Sequence, residues 1–316
     1  MKVAVIGAGA VGLGLSSCLL ASGASVHLQV RDRRAADALR GEGLTRTGIF
    51  GNFHAPAGTF TVGTSLSELA NAEPASVLVC TKTTAVDEVA GVLAEVWPRL
   101  PSPLVVLCHN GWGSAERFAR RLPKERIFNA TITTGFRRDG WTRVEITVHG
   151  DQIHIGSLFD QSETTVASIC AAIAAGGIPC EPSATMEQDL WAKLLYNCAL
   201  NPLAALLGVP YGVLGEDAHY RSILEDVVRE IFEVLEASGR QTRWASPDEY
   251  LDFFFRELLP PTREHESSML QDLRAGRPTE IDAICGAVVA LAAEAGVTAP
   301  VNQALTILVR AGQRSA

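Results

Sequence analysis

The first thirty residues constrain the fold of this 316-residue chain more than any other stretch. The β-branched run Lys2–Ile6 precedes a helical pattern over 13–22, and residues 24–30 alternate like a second strand. Between the first strand and the helix lies a glycine loop, Gly7-Ala8-Gly9-Ala10-Val11-Gly12. This order of elements lets a pyrophosphate approach glycine backbone and a helix N-terminus. The pattern therefore predicts a Rossmann-type dinucleotide site.

The end of the second strand bears on which dinucleotide binds. The sequence there is Val30-Arg31-Asp32-Arg33-Arg34. An acidic residue at this point binds ribose hydroxyls in NAD or FAD sites, whereas arginine suits the 2′-phosphate of NADP. Three arginines in a chain of net charge −8 favour NADPH, and the alternative is an exposed loop that is merely basic.

Polar residues also follow two later strands. The apolar runs 76–80 and 104–108 end beside Lys82 and Asn110, respectively. Ligands of open α/β sheets bind at the carboxyl ends of the strands. We therefore expect these two residues to share one sheet edge with the glycine loop and Arg31.

The strand pattern stops after Ser183, and the remaining chain is predicted to be helical. Glycines and prolines separate six predicted helices, over residues 185–207, 217–238, 247–259, 263–275, 279–295 and 299–312. The predicted fold class is α/β: an N-terminal Rossmann-type doubly wound sheet domain, residues 1–183, followed by an all-α domain, residues 184–316. We expect the substrate cleft between these halves.

Lys193, Asn197 and Asn201 are four residues apart in the helix predicted over 185–207. This spacing places them along one side of the helix. Asparagine has low helix propensity, and the surrounding residues are almost all apolar. The pattern predicts a hydrogen-bonding wall, and the alternative is a solvated face.

The segment 276–282 predicts a helix start. Thr279 and Asp282 have the spacing of a capping box, with aspartate in place of the usual glutamate or glutamine. Glu280 would then occupy the first helical position. The alternative is a helix-start carboxylate without a further role.

Composition excludes several classes of protein. Hydrophobic residues make up 47% and charged residues 20%, which is ordinary for a globular chain, and the negative charge argues against nucleic-acid or membrane binding. We find no apolar run of about 18 residues and predict no membrane span. Seven cysteines without a CxxC pair or Cys/His cluster predict reduced thiols, no metal site and a cytoplasmic protein. The long apolar helices leave room for a homodimer.

The chain resembles the ketopantoate reductase (2-dehydropantoate 2-reductase) family nearly from end to end. The resemblance rests on the glycine loop, on Lys82 and Asn110-Gly111, on Lys193-x-x-x-Asn197-x-x-x-Asn201-Pro202, and on the segments Ser267–Asp272 and Thr279–Asp282. It implies reduction of a small 2-oxo acid by NADPH on the route to pantothenate and coenzyme A.

The resemblance also implies roles for single residues. Lys193 matches the proton donor of the family. The implied substrate-binding residues are Asn110, Lys193, Asn197, Asn201 and Ser268. The implied cofactor-binding residues are Gly7, Ala8, Gly9, Ala10, Val11, Gly12, Arg31, Lys82, Asn110, Phe136 and Glu280.

Two positions depart from the family pattern. Tyr211 stands where family members often have a third asparagine, and Phe136 stands where a small residue is usual near the cofactor. Both favour a second hypothesis, a related reductase of a larger 2-oxo acid or of an imine. Two more hypotheses are a flavoprotein, which Asp32 favours, and a nucleotide-sensing protein without catalysis.

Overall fold

The computed structural model of the protein describes residues 1–315. The chain forms two compact units. The first contains Met1–His109 and Ser114–Met186, and the second contains Asn110–Gly113 and the residues from Glu187 onward. The segment Asn110–Gly113 thus belongs to the helical unit although elements of the first unit flank it on both sides.

The first unit is an α/β unit with two sheets. Its strands are β1 (Lys2–Ile6), β2 (Ser25–Gln29), β3 (Leu44–Gly48), β4 (Phe53–Ala55), β5 (Thr61–Gly63), β6 (Ser76–Val79), β7 (Leu104–Leu107), β8 (Ile127–Thr131), β9 (Thr134–Asp139), β10 (Arg143–His149), β11 (Ile153–Gly156) and β12 (Cys180–Pro182). Its helices are α1 (Ala10–Ala21), α2 (Arg33–Glu42), α3 (Leu69–Ala72), α4 (Val86–Val96), α5 (Ser114–Ala119) and α6 (Ala167–Ala175).

The larger sheet has eight strands in the order β12-β11-β8-β7-β6-β1-β2-β5. Every neighbouring pair is parallel except β8 and β11. Side chains alternate between faces along a strand, so Val3 and Val5 of β1 enter one hydrophobic core, whereas Ala4 and Ile6 enter the other. The predicted Rossmann-type fold class is confirmed.

A smaller sheet has the order β4-β3-β10-β9, and its strands contact α1. No local pattern in the sequence predicts that β10 pairs in parallel with β3, which lies far earlier in the chain. This sheet places the hairpin of β9 and β10 beside α1.

The second unit is helical. Its helices are α7 (Met186–Leu207), α8 (Tyr211–Glu216), α9 (Ala218–Ala237), α10 (Pro247–Phe253), α11 (Ser268–Arg274), α12 (Cys285–Ala295) and α13 (Pro300–Ser315). A π-helical turn, Phe254–Leu258, follows α10. The predicted helix over 263–275 begins later than expected, at Ser268, after a 3-10 turn over Pro260–Thr262.

The capping box predicted for residues 279–282 is wrong. The Thr279 hydroxyl does accept a hydrogen bond from the Ile281 backbone N–H at 3.4 Å. Asp282, however, accepts from Nε of Arg310 at 2.7 Å, and within residues 1–315 it makes no hydrogen bond back to the backbone. Glu280 precedes a 3-10 turn that ends at Ala283, and the continuous helix begins only at Cys285.

By length and composition, α7 could cross a membrane, and it is the one helix in residues 1–315 that meets that test. Most of its apolar window is buried inside the structure. Core helices of globular proteins meet the same test, so the finding is weak evidence for a span.

Candidate active site

The turn after β1 is shaped by glycine backbone. Gly7 has φ +106°, and a Cβ there would lie 3.0 Å from the Cys80 carbonyl carbon. A Cβ on Gly12 would lie 1.8 Å from the Gly7 carbonyl oxygen. At Gly9, in contrast, the nearest atom to an added Cβ is the Cys80 oxygen at 4.0 Å. Two glycines therefore close the turn, and Gly9 leaves a face to which another group has access.

Helix α1 begins at Ala10, directly after Gly9, and no side chain caps it. The first backbone N–H groups of a helix have no partner within the helix, and the helix dipole favours an anion there. The open glycine face and the uncapped helix start together fit the pyrophosphate of a dinucleotide.

The residues after β2 include exposed arginines and one aspartate, Asp32, that already has a hydrogen-bond partner. Oδ1 of Asp32 accepts a hydrogen bond from the Arg34 backbone N–H at 2.8 Å, and Asp32 is the N-cap of α2. This hydrogen bond holds the pKa of Asp32 below its usual range. Arg31 and Arg33 are exposed. The donors at this strand end suit a phosphate better than a ribose hydroxyl.

Phe136 packs on the first turns of α1. A Cβ added to Gly14 would lie 2.3 Å from Cε1 of the Phe136 ring, so only glycine admits the ring at this distance. Phe136 is half-buried against the same core as Ala8 and Val11. It thus lies beside the glycine turn.

Lys82 and His109 follow β6 and β7, two neighbouring strands of the larger sheet. Lys82 is half-buried. His109 is buried, its Nε2 lies 3.4 Å from Oγ1 of Thr81, and its ring packs at an angle on Phe118. Burial lowers the pKa of His109 to about 4. His109 is therefore a neutral, packed histidine near neutral pH.

In the second unit, α7 aligns Lys193, Asn197 and Asn201 along one side. Lys193 is half-buried, whereas Asn197 and Asn201 are only 7% and 5% exposed. The stripe is therefore not a solvated face. The side-chain amide of Asn197 has no hydrogen-bond partner in residues 1–315. Its amide atoms keep some access to solvent, so this group is available to a ligand.

Asn201 is held by Tyr211, the residue that departs from the family pattern. The Tyr211 hydroxyl donates to Oδ1 of Asn201 at 2.5 Å. Tyr211 is 3% exposed and packs against the rings of Tyr196 and His265. Burial raises its pKa, so the hydroxyl stays protonated and acts as a donor. With Oδ1 occupied, Asn201 has its N–H groups left for a further partner.

Pro202 interrupts the hydrogen bonding of α7 beside the stripe. Because proline has no N–H, the Cys198 carbonyl lacks its helical donor, and the Cys285 thiol donates to it at 3.8 Å. Ser267 is fully buried, and its hydroxyl donates to the Asn201 carbonyl at 3.5 Å. Contacts from two other segments therefore support the middle of α7.

Ser268 and Ser267 have different environments. Ser267 is the N-cap of α11 and accepts a hydrogen bond from Leu270 N–H at 3.0 Å. Ser268 is the first residue of α11 and is exposed. The family resemblance implies Ser268 as the site residue, and the sequence analysis misses the supporting role of Ser267. The sequence does contain a signal for Ser267, because serine is a common residue at the N-cap of a helix.

Asn110 and Glu280 meet although they are 170 positions apart. Nδ2 of Asn110 donates to Oε2 of Glu280 at 2.9 Å. Gly111 has φ +85°, and a Cβ there would lie 2.0 Å from the Ala283 oxygen. The Trp112 N–H donates to that same oxygen at 2.8 Å. The tight turn therefore fixes the amide of Asn110 against the carboxylate.

A ring stack anchors this segment to α7. Trp112 stacks on Trp191, with ring centroids 4.8 Å apart. The guanidinium of Arg240 lies 4.8 Å from the Trp112 ring centroid and also pairs with Glu187 at 2.5 Å. No motif or spacing in the sequence predicts these contacts, because rings from distant segments leave no local periodic signal.

The described residues contain no group of three or more His, Cys, Asp or Glu side chains that could hold a metal ion. The polar side chains of the predicted site residues are amines, a guanidinium, amides, a hydroxyl and a carboxylate. In the first unit the glycine turn, Arg31, Lys82 and Phe136 gather around the ends of β1, β2 and β6. In the second unit Asn110 meets Glu280, and α7 aligns the lysine with two asparagines.

Comparison with known proteins follows this division of the chain. The family described as "Ketopantoate reductase PanE/ApbA" matches residues 3–159, and the one described as "Ketopantoate reductase PanE/ApbA C terminal" matches residues 185–313. A 2-dehydropantoate 2-reductase of Aquifex aeolicus is 31% identical over 313 residues, which cover 98% of this chain and 96% of the relative.

Solved structures show the same fold. The 2-dehydropantoate 2-reductase of Geobacter metallireducens has a TM-score of 0.88 at 27% identity, covering 98% of this chain and 99% of its own. A D-mandelate dehydrogenase, solved with NADH and anilino(oxo)acetate, has a TM-score of 0.87 at 22% identity, with coverage of 100% and 99%. The latter similarity concerns the fold alone.

Proposed function

Because the chain belongs to the ketopantoate reductase family, we propose that it reduces 2-dehydropantoate to pantoate with NADPH. The observation that carries this proposal is the stripe on α7, where Lys193 precedes the two buried asparagines and the amide of Asn197 is unpaired. Such a stripe suits a small polar substrate. The product would enter pantothenate and coenzyme A synthesis.

The residues of the first unit would hold the cofactor. The glycine turn and the start of α1 would bind the pyrophosphate, and Arg31 would bind the 2′-phosphate. Lys82 and Phe136 would contact the remainder of the cofactor or lie beside it, and the family resemblance implies the same for Asn110 and Glu280 of the second unit. When bound, NADPH would supply the hydride that the substrate carbon accepts.

The residues of α7 would stabilise the negative charge that forms on the substrate oxygen, and would supply its proton. As the C2 carbonyl is reduced, its oxygen gains negative charge, which requires a hydrogen-bond donor and then a proton. Lys193 would donate both from its ammonium group. Asn110, Asn197, Asn201 and Ser268 would orient the substrate carboxylate and hydroxyl.

A second candidate is reduction of a different 2-oxo acid by the same residues. The observation that favours it is the hydrogen bond from Tyr211 to Asn201. This bond uses one of the two lone pairs of the Asn201 side-chain oxygen. That bond leaves both N–H donors of the amide unengaged, so a substrate that presents a strong acceptor at this point would fit well.

The test follows loss of cofactor fluorescence after purified protein is mixed with NADPH and 2-dehydropantoate. Parallel samples contain NADH, or other 2-oxo acids with and without a hydroxyl group. Rapid NADPH oxidation with 2-dehydropantoate alone supports the first candidate. Binding of NADPH with turnover of a different 2-oxo acid supports the second. Binding without turnover of any 2-oxo acid contradicts both.

A further inference from the structure

Strand β9 presents two side chains toward α1. Alternation along the strand places Phe136 and Arg138 on one face and Arg137 on the other. Phe136 packs on Gly14 of α1. Arg137 pairs with Glu145, its cross-strand neighbour on β10. The face of β9 that carries Phe136 therefore extends toward the N-terminal turn of α1.

Arg138 reaches the glycine turn itself. Its Nη1 donates to the Ala8 carbonyl oxygen at 3.4 Å. Its guanidinium also lies 5.0 Å from the centroid of the Trp141 ring, in the loop between β9 and β10. Within residues 1–315 no carboxylate forms an ion pair with Arg138, whereas Arg137 beside it is paired.

The hydrogen bond to Ala8 engages only one of the N–H donors of Arg138. A separation of 3.4 Å is at the long end for a hydrogen bond, and a guanidinium carries five N–H donors. Ala8 lies between Gly7 and Gly9, on the turn whose open face suits a phosphate. An arginine binds phosphate oxygens with two parallel hydrogen bonds, which are stronger than one bond to a neutral carbonyl.

We propose that Arg138 is a further cofactor-binding residue that contacts the pyrophosphate at the glycine turn, with Trp141 holding its guanidinium in place. This inference rests on the proposed binding of a nicotinamide dinucleotide. Ala8 follows β1, whereas Arg31 follows β2, so the two arginines serve different phosphates. Arg138 binds the part that NADH and NADPH share.

The experiment measures the dissociation constants of NADPH and NADH by calorimetry for wild type, Arg138→Gln, Arg138→Lys and Arg31→Gln. The control is Arg137→Gln, which changes the adjacent arginine on the opposite face of β9. We expect Arg138→Gln to weaken both cofactors by a similar factor, about tenfold or more, and Arg138→Lys to lose less. Arg31→Gln should weaken NADPH alone, and Arg137→Gln should change neither constant.

Unchanged binding in Arg138→Gln would overturn this inference, and so would a loss restricted to NADPH. An equal loss of cofactor affinity in Arg137→Gln would show that any positive charge on the β9–β10 hairpin has the same effect. That result would overturn the inference as well. Thermal unfolding of each variant separates a binding loss from unfolding. If wild type binds neither cofactor, the proposed function fails. If it binds them but reduces no 2-oxo acid, the proposed chemistry fails and Arg138 can still be tested.

Discussion

At the glycine turn the backbone would form the proposed binding surface, whereas along α7 side chains would form it. A Cβ on Gly12 would collide with the Gly7 oxygen, Gly7 has a φ of +106° that strains any other residue, and the face at Gly9 is left open. On α7, Asn201 depends on the hydroxyl of Tyr211, which comes from another helix. A change at the turn should therefore act on binding, and a change on the stripe should act on turnover and substrate choice.

The largest effect is expected for Lys193→Ala. If Lys193 supplies the proton, turnover should fall by about a hundredfold to ten-thousandfold. The dissociation constant of NADPH should stay within a factor of about two, because the glycine turn is unchanged. Steady-state kinetics and calorimetry measure the two quantities. Lys124→Ala, which removes an exposed lysine, is the control. Near-normal turnover in Lys193→Ala would refute the assignment.

The second prediction concerns His109, at the end of β7. Its folded pKa of about 4 lies below the ordinary value of 6.5, so the unfolded chain binds the proton first as the pH falls. Its contribution to the free energy of unfolding is full above pH 6.5 and is lost as the pH falls toward 4. The loss amounts to at most ~3 kcal/mol.

Denaturant unfolding between about pH 7.5 and about pH 4.5 measures this slope. His109→Gln should flatten it, whereas His219→Gln, which changes an exposed histidine, should not. If the slopes of wild type and His109→Gln agree, another group carries the pH dependence.

The third prediction separates the two roles of glycine at the turn. Gly9→Ala places a methyl group on the open face, so we expect an unchanged melting temperature and cofactor binding weaker by about tenfold, or ~1.4 kcal/mol. Gly12→Ala forces a Cβ against the Gly7 oxygen and should lower both binding and the melting temperature. If Gly9→Ala binds NADPH as wild type does, the pyrophosphate does not lie against that face.

Local pattern was enough to predict the glycine-turn region. The strand Lys2–Ile6 has the predicted bounds, and α1 follows the loop as expected. The polar spacing on α7 is also a local signal, and the burial of its asparagines agrees with the predicted hydrogen-bonding wall. Periodicity and turn residues depend on only a few neighbouring positions, so the sequence alone predicts strands, turns and helix faces of this kind well.

Contacts between distant segments could not be predicted in this way. The bond between Asn110 and Glu280 joins residues 170 positions apart, and nothing in either local pattern encodes it. The parallel pairing of β3 with β10 is equally hidden. The capping-box prediction failed for the same reason, because Asp282 pairs with Arg310 from a later helix.

The smallest effect on function is expected for Tyr211→Phe, which tests how far the polar side chains of α7 depend on the residues that contact them. The change removes the donor to Oδ1 of Asn201 and leaves that buried oxygen unpaired, which should cost about 1–2 kcal/mol of unfolding free energy. It also frees the oxygen to accept a hydrogen bond from a substrate. The ratio of kcat/KM for 2-dehydropantoate to that for an analogue without the hydroxyl should therefore rise a few-fold, roughly as one hydrogen bond is worth.

Tyr250→Phe is the matched control. Tyr250 is also fully buried in the helical unit, but its hydroxyl has no hydrogen-bond partner in the described part of the chain. Removing that hydroxyl should leave stability equal or higher and the substrate ratio unchanged, because an unpaired buried polar group only costs free energy. Equal effects of the two changes would mean that loss of any buried hydroxyl in this unit accounts for the result. Tyr211 would then not control which polar group Asn201 offers to the substrate.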